Sequence, residues 1–206
     1  MEILVNPPAP RSRGLTLDHV WIFAAVAFIA LRALLTPIPP NDFWWHMATG
    51  RLIVEHGQIP AVDSFSYTRT GEPFYNQSWL GQLLMYGLYQ LGGAALVIMA
   101  QAALLASTYG LLLRLCLRRS GRLRLSVAFL LVMTMPASFD NWIVRPQTYA
   151  LALFVAYLYV LDGWRRLSLG SAVAAERVQK REGNFWATAA PLLLLPILGV
   201  VWVNLH

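Results

Sequence analysis

Charged residues are scarce in this chain. Asp, Glu, Lys and Arg make up 13% of its 206 residues, whereas about a quarter of the residues in an ordinary soluble domain are charged. Hydrophobic residues make up 57%, and several apolar runs are about 20 residues long, enough to cross a hydrocarbon core of about 30 Å. This composition excludes a soluble globular protein and predicts an all-α membrane protein.

Other features of soluble enzymes are also missing. The single cysteine, Cys116, excludes an internal disulfide and a cysteine metal cluster, and there is no Gly-rich phosphate loop of the P-loop or dinucleotide type. The first residues, MEILVNPPAPRSRG, lack the pattern of a removable signal peptide. Because the chain stops directly after an apolar run, we expect it to be the N-terminal part of a longer multispanning protein.

The apolar runs predict about five transmembrane helices in a single domain. A proline cluster at residues 37–40 ends the first run, and Gly92-Gly93 separates a short amphipathic, interfacial segment from the second. The predicted spans are residues 20–37, 94–113, 125–139, 147–161 and 185–205. Between the first two spans, residues 38–93 form a large first extracytoplasmic loop that contains short interfacial helices.

The basic residues are divided unequally among the loops. Of the 16 Lys and Arg residues, twelve lie in the N-terminal segment, the turn at residues 114–124 and the connection at residues 165–181, whereas Arg51, Arg69 and Arg145 lie in the other loops. Cytoplasmic loops carry the excess of Lys and Arg. The N-terminus is therefore predicted to be cytoplasmic in a multi-pass protein of the plasma membrane. The net charge of +6 is explained by topology, with the lipid bilayer as partner and no nucleic acid.

The most informative stretch is Asn41-Asp42-Phe43-Trp44-Trp45-His46, just after the first span. If a helix starts there, Asp42 and His46 share a face. The pair can hold a divalent metal such as Mg or Mn, or Asp42 can act as a base oriented by His46. His46 is also a candidate substrate-binding residue. Alternatively, Asp42 or Asn41 caps the helix, since both types are preferred N-cap residues.

The other candidate residues each have two interpretations. Trp44 and Trp45 suit stacking on sugar rings and equally suit an aromatic belt at the membrane interface. Arg145, in an outward hairpin, can bind a phosphate or can snorkel to lipid headgroups. Arg32, near the outer end of the first span, needs a partner or snorkels, and His206 is either a ligand or the first polar residue after a span.

Several short motifs together resemble a known family. They are Asp42-Phe-Trp-Trp-His46, Gly50-Arg51, Gly57-Gln-Ile-Pro60, Asp63-Ser-Phe-Ser-Tyr-Thr68, Trp79-Leu, Arg145-Pro-Gln147 and Trp202-Val-Asn-Leu-His206. In this order they look like a group of bacterial proteins similar to the C-type membrane glycosyltransferases. That class includes the dolichyl-phosphate-mannose-dependent protein mannosyltransferases and the aminoarabinose transferases of lipid A.

The resemblance implies a bacterial inner-membrane enzyme that takes a sugar from a polyprenyl-phosphate donor and transfers it to an extracytoplasmic glycan, lipid or protein. It implies that Asp42 is the catalytic base or a metal-associated carboxylate, and that Arg145 contacts the donor phosphate. The mannosyltransferases have two adjacent acids where this chain has Asn41, Asp42 and Phe43. The class has about twice as many spans, so we expect this fragment alone to be inactive.

Two further function classes remain open from the sequence. A transporter segment uses intramembrane polar residues near the midplane, and the spans carry few, mainly Gln101, Ser107 and Thr108 in the second. A non-enzymatic membrane scaffold would also show aromatic interfaces, but it would not need a base. Replacement of Asp42 by Asn distinguishes these classes from an enzyme, because only an enzyme that uses Asp42 as its base should lose glycan transfer.

Overall fold

The chain is mainly helical in the computed structural model, which describes residues 15–40, 42–137, 142–177 and 189–205. Within these ranges the only extended pairing is an isolated bridge between Val62 and Pro73, so the all-α prediction is confirmed for the described part of the chain. The helices are α1 (Leu17–Leu34), α2 (Asp42–His56), α3 (Trp79–Ser120), α4 (Leu123–Phe129), a π-helical turn (Leu130–Thr134), α5 (Met135–Ala137), α6 (Gln147–Arg177), a 3-10 turn (Ala190–Leu193) and α7 (Leu194–Leu205).

Two of the described helices, α1 and α3, are long and apolar enough to cross a membrane. Large apolar side chains of α1 are uncovered by the rest of the protein, with Leu17 76% and Phe23 73% exposed. A continuous apolar surface of this kind is costly in water and suits a lipid environment. These helices support the prediction of a membrane protein. The third and fifth predicted spans coincide with shorter apolar helices, Leu123–Met133 and Ala190–Leu205, and five spans remain a prediction.

Helix α3 contains the predicted break. Gly92 and Gly93 have non-helical backbone angles, with φ −156° and +63° respectively. The positive φ of Gly93, combined with ψ −161°, lies in a region that is essentially restricted to glycine. An N-terminal segment of α3 is thereby set at an angle to the apolar segment that follows, as the sequence predicted.

Two helices extend beyond the predicted spans. Helix α3 continues to Ser120, past the span predicted for residues 94–113, and α6 continues to Arg177, past the span predicted for residues 147–161. The arginines of both extensions are good helix formers, so charge marks the end of an apolar run without ending the helix. Residues 138–139 and 185–188 of the predicted spans, and residues 178–181 of the predicted connection, lie outside the described part of the chain.

A buried carboxylate joins these two helix extensions. Asp162 of α6 is 1% exposed, and its two oxygens lie 2.7 Å from Nε of Arg119 and 2.9 Å from Nε of Arg166. One turn away, the guanidinium of Arg118 lies 4.8 Å from the centre of the Tyr159 ring. Basic residues that were interpreted only as topology determinants therefore also hold α3 against α6.

The opposite end of the bundle has its own apolar core, which brings three segments together. Phe43 and Met47 of α2 pack with Met85 and Val97 of α3, from either side of the glycine break, and with Val144 from the segment before α6. Because burial of apolar side chains is the main favourable term in folding, this core fixes α2 against the turn that precedes α6. The polar residues at its edge are thereby brought together.

Candidate functional site

Asp42 and Arg145 form an ion pair at the edge of this core. Nη2 of Arg145 lies 3.4 Å from Oδ2 of Asp42, well inside the separation of about 10 to 12 Å that one bound phosphosugar would bridge in a drug-sized pocket. Asp42 is the first residue of α2, and Arg145 precedes α6 by two residues. The structure thus brings these two candidate residues together, while their roles remain predictions.

The pair leaves part of the Arg145 guanidinium unused. Its Nε is buried and has no hydrogen-bond partner among the described residues, and the same is true of Oε1 of Gln147. A buried donor without a partner costs free energy, so this position is suited to an acceptor oxygen from elsewhere. The Asp42 side chain is 53% exposed, which leaves its carboxylate accessible.

His46 lies beside this pair but is largely buried. It is 6% exposed and lies four residues after Asp42 in α2, so the two side chains share a face of the helix. Burial lowers the pKa of His46 to about 4, with the Asp42 carboxylate acting to raise it and the Arg145 guanidinium to lower it further. The imidazole is consequently neutral at pH 7.

A side-chain relay that the sequence analysis did not identify holds His46. Nε2 of Gln82, in the first turn of α3, lies 3.2 Å from Nδ1 of His46, and its Oε1 accepts a 2.7 Å hydrogen bond from Nδ2 of Asn76. Gln82 is completely buried. One feature of the sequence could have identified Gln82. It is an amide on the inward face of an amphipathic helix, where an apolar side chain is usual.

The first turn of α3 also contacts the end of α7 and the segment before α6. Nε1 of Trp79 donates a 2.7 Å hydrogen bond to Oδ1 of Asn204. A Cβ on Gly81 would lie 2.9 Å from the Leu205 carbonyl oxygen and 3.1 Å from Cβ of Pro146, so only a glycine permits this close approach. The end of α7 is therefore at the same end of the bundle as the Asp42–Arg145 pair.

The two tryptophans are placed in different surroundings. Trp44 is 51% exposed and meets Tyr89 of α3 edge to face at 6.1 Å between ring centres. Trp45 packs against Phe65 and Phe74 of the following loop. Sugar stacking and an interfacial belt remain open for Trp44, whereas Trp45 also contributes to packing of the loop.

The structure does not place the remaining candidates at the pair. Arg32 lies in the last turn of α1, where Nη1 donates a hydrogen bond to Oγ1 of Thr36, and its described contacts do not include Asp42 or Arg145. His206 lies outside the described residues. Arg32 is exposed and has a local hydroxyl partner.

Asp42 and His46 are the residues that the sequence suggested as metal ligands. In the described ranges no three His, Cys, Asp or Glu side chains gather around a common point. Mg²⁺ and Mn²⁺ prefer oxygen ligands, and of the Asp42 and His46 pair only Asp42 supplies oxygen, while Nδ1 of His46 is engaged by Gln82. These residues fit a divalent ion poorly.

An apolar cavity lies beside the site. It has a volume of about 140 Å³, and its lining includes Val144, adjacent to Arg145, together with Met85, Val97, Gln101 and Tyr149. The amide of Gln101 donates hydrogen bonds to Oγ1 of Thr148 and to the carbonyl oxygens of residues 142 and 143. This buried amide thereby fixes the backbone immediately before Arg145.

Comparisons of the chain with family models, with curated proteins and with solved structures found no match. The resemblance to the C-type membrane glycosyltransferases therefore stays a prediction.

Proposed function

We propose that this chain is part of a membrane glycosyltransferase, which transfers a sugar from a polyprenyl-phosphate donor to an extracytoplasmic glycan, lipid or protein. The observation that carries the proposal is the 3.4 Å approach of the Asp42 carboxylate to the Arg145 guanidinium. A group that can act as a base and a group that can bind a phosphate are thus adjacent, and both are accessible to solvent.

The proposed reaction uses this pair directly. Asp42 accepts the proton of an acceptor hydroxyl, whose oxygen attacks the anomeric carbon of the sugar. The bond between that carbon and the phosphate oxygen breaks, and the phosphate leaves with the bonding electrons. Arg145 donates hydrogen bonds to the departing phosphate and stabilises its developing charge. The anomeric configuration is inverted in this single displacement.

The unsatisfied atoms beside the pair support a ligand of this kind. The buried Nε of Arg145 is a donor that a phosphate oxygen would satisfy, and Oε1 of Gln147 is an acceptor that a sugar hydroxyl would satisfy. A bound phosphosugar would therefore replace missing hydrogen bonds, which favours binding because unpaired buried polar groups are costly.

The proposal includes a location in the membrane. The N-terminus is placed in the cytoplasm of a bacterium, the protein crosses the plasma membrane about five times, and α2 lies on the outer surface. A polyprenyl tail is held by the bilayer, so its phosphate lies at headgroup depth, where the loop after α1 emerges. The unequal distribution of Lys and Arg among the loops supports this orientation.

The polar residues of α3 give less support to a transporter. Gln101 bonds Thr148 and nearby carbonyls, and Oγ1 of Thr108 donates a hydrogen bond to the carbonyl oxygen of Leu104. Midplane groups that bind a transported solute need free polar atoms, whereas these side chains are used to hold the fold together.

Asp42→Asn, introduced into the gene at its chromosomal position, tests the proposal. The substitution keeps the shape of the side chain but removes its basicity, so the variant should fail to consume the donor. Extracted lipids and envelope glycans, analysed by mass spectrometry, should show accumulation of one polyprenyl-phosphate sugar and loss of one glycan modification. Deletion of the gene should give the same profile.

Asp63→Asn is the matched control, because Asp63 belongs to the same loop and its Oδ1 accepts hydrogen bonds from the backbone of residues 65 and 66, which an asparagine also permits. This strain should match the wild type. An Asp42→Asn strain with a wild-type profile would remove Asp42 as the base, and an unchanged profile after gene deletion would overturn the glycosyltransferase proposal.

A further inference from the structure

The relay from Asn76 through Gln82 to His46 has no role in the reaction described above. It is nevertheless more buried than the Asp42–Arg145 pair, with Gln82 at 0% and His46 at 6% exposure. Burial of two polar side chains in contact, with the half-buried Asn76 beside them, is expensive unless their hydrogen bonds are satisfied. A hydrophobic residue at position 82 would fill the same space at lower cost.

The hydrogen bonds have a defined direction. Because Nδ2 of Asn76 donates to Oε1 of Gln82, the NH₂ group of the Gln82 amide faces His46 and donates to Nδ1 at 3.2 Å. A neutral imidazole carries one proton, and a ring nitrogen that accepts a hydrogen bond does not carry it. The proton is then on Nε2.

We propose that Gln82 is a positioning residue, whose amide is oriented by Asn76 and holds His46 in the tautomer with its proton on Nε2. His46 then offers a single N–H donor on the face of α2 that also carries Asp42. Within the described residues no side chain or backbone group forms a hydrogen bond with this Nε2. The use of this donor for an oxygen of the phosphosugar rests on the proposed function, whereas the tautomer itself does not.

The consequence is a division of roles between neighbouring side chains. Asp42 is the base, and His46 is a hydrogen-bond donor. Among the roles that the sequence suggested for His46, this assigns substrate binding in place of orientation of the base and metal binding. A close approach of α2 and α3 supports the contact, because a Cβ on Gly50 would lie 2.5 Å from the carbonyl oxygen of Gln82. The glycine therefore allows α2 to reach the first turn of α3.

The tautomer can be measured by NMR on the full chain, labelled with ¹⁵N-histidine and reconstituted in lipid nanodiscs at pH 7. The chain has four histidines, and the His46 signals are assigned by their loss in His46→Gln. We expect Nε2 to show the signal of a protonated ring nitrogen and Nδ1 that of an unprotonated one. A proton on Nδ1 of the wild type would overturn the proposal, since it would mean that the amide groups of Gln82 and Asn76 are flipped and their hydrogen bonds reversed.

Gln82→Glu tests the positioning role. A carboxylate in place of the amide presents an acceptor to Nδ1, so the unprotonated Nδ1 signal should be lost as this nitrogen takes up a proton. Gln77→Glu is the matched control, because Gln77 is exposed in the loop before α3. The substitution adds the same charge without contact to the relay. An unchanged Nδ1 signal in Gln82→Glu would contradict the proposal.

Asn76→Ala covers the case in which Gln82→Glu does not fold. It removes the donor that orients the Gln82 amide, so the two His46 tautomers should both be populated, and a single unchanged tautomer would contradict the relay. These measurements need neither donor nor acceptor sugar. The expected tautomer together with an unchanged glycan profile after gene deletion would therefore overturn the proposed function alone, and the reverse result would overturn the positioning role alone.

Discussion

The indole of Trp79 donates a 2.7 Å hydrogen bond to Oδ1 of Asn204, a residue 125 positions later in the chain. This bond connects the first turn of α3 to the last turn of α7. The Gly81 contact with the Leu205 carbonyl oxygen lies beside it. Together they hold the end of α7 against the turn from which Gln82 reaches His46.

Trp79→Phe should therefore destabilise the protein by about 1 kcal/mol, the usual net contribution of one hydrogen bond. In a double-mutant cycle with Asn204→Leu, a coupling free energy of about 0.5–1.5 kcal/mol is expected, because each single change already removes the bond. Unfolding in detergent measures these values. Trp44→Phe, at a half-exposed site, is the control; complete additivity would show that the bond contributes no stability.

Gly50→Ala should be destabilising, because the added Cβ would lie 2.5 Å from the Gln82 carbonyl oxygen and 2.8 Å from Cβ of Tyr86. Overpacking of this kind costs about 1–3 kcal/mol. Gly87→Ala in α3 is the matched control, since a Cβ there meets nothing within 4 Å, and it should be neutral or slightly stabilising. Equal unfolding midpoints of the two variants would contradict the close crossing of α2 and α3.

The stability of the protein should decrease in mild acid because of His46. Its pKa is about 4 in the folded protein and about 6.5 in the unfolded chain, so the unfolded state binds more protons between these values. Stability is therefore independent of this group above about pH 6.5 and falls towards pH 4. The expected loss is about 2 kcal/mol at pH 5.

Thermal unfolding at pH 7.5 and pH 5 measures this effect, and His46→Gln should remove most of the difference. His56→Gln, at the end of α2, should keep the pH dependence of the wild type. A His46→Gln protein that loses as much stability as the wild type would show that other groups cause the acid sensitivity.

Asp162→Asn should lower the free energy of unfolding by about 2 kcal/mol. Loss of one partner from a fully buried pair costs about 3–5 kcal/mol, and the value here is smaller because Arg119 and Arg166 are about half exposed. Glu55→Gln is the comparison, because its pair with Arg51 is exposed on both sides and should contribute little to stability. Equal effects would mean that burial of Asp162 does not strengthen its ion pairs.

The orientation in the membrane can be tested with single cysteines at Ser64 and Ser120, in a chain where Cys116 is replaced by Ala. Both serines are exposed. A membrane-impermeant thiol reagent added outside intact cells should label position 64 and not position 120, which should react only after the membrane is opened. Labelling of both from outside would overturn the predicted orientation.

Local sequence patterns determined several features correctly. Glycine marks the end of α2, which ends at His56 and is followed by Gly57 with φ +66°. The break at Gly92-Gly93 was found for the same reason, because a glycine with positive φ is specified by the residue itself. Helices α3 and α6 extend beyond their apolar runs into arginine-rich segments, since arginine does not interrupt a helix.

The candidate site was predicted in part. Asp42, His46 and Arg145 were selected by residue type and by their expected emergence on one membrane surface, and Asp42 and Arg145 are in contact. Gln82 and Asn76 were missed, because an amide has no distinctive sequence pattern and its partner lies on another helix.

The amino-acid sequence by itself determined that the chain is apolar and helical, and where glycine and proline interrupt its helices, because these properties depend on composition and on neighbouring residues. Only the tertiary structure decided which polar groups meet: Arg145 with Asp42, Gln82 with His46, and Asn204 with Trp79. Those contacts depend on how apolar faces pack and on where a glycine such as Gly50 or Gly81 lets two backbones approach. Such packing involves residues far apart in the chain, so no local pattern encodes it.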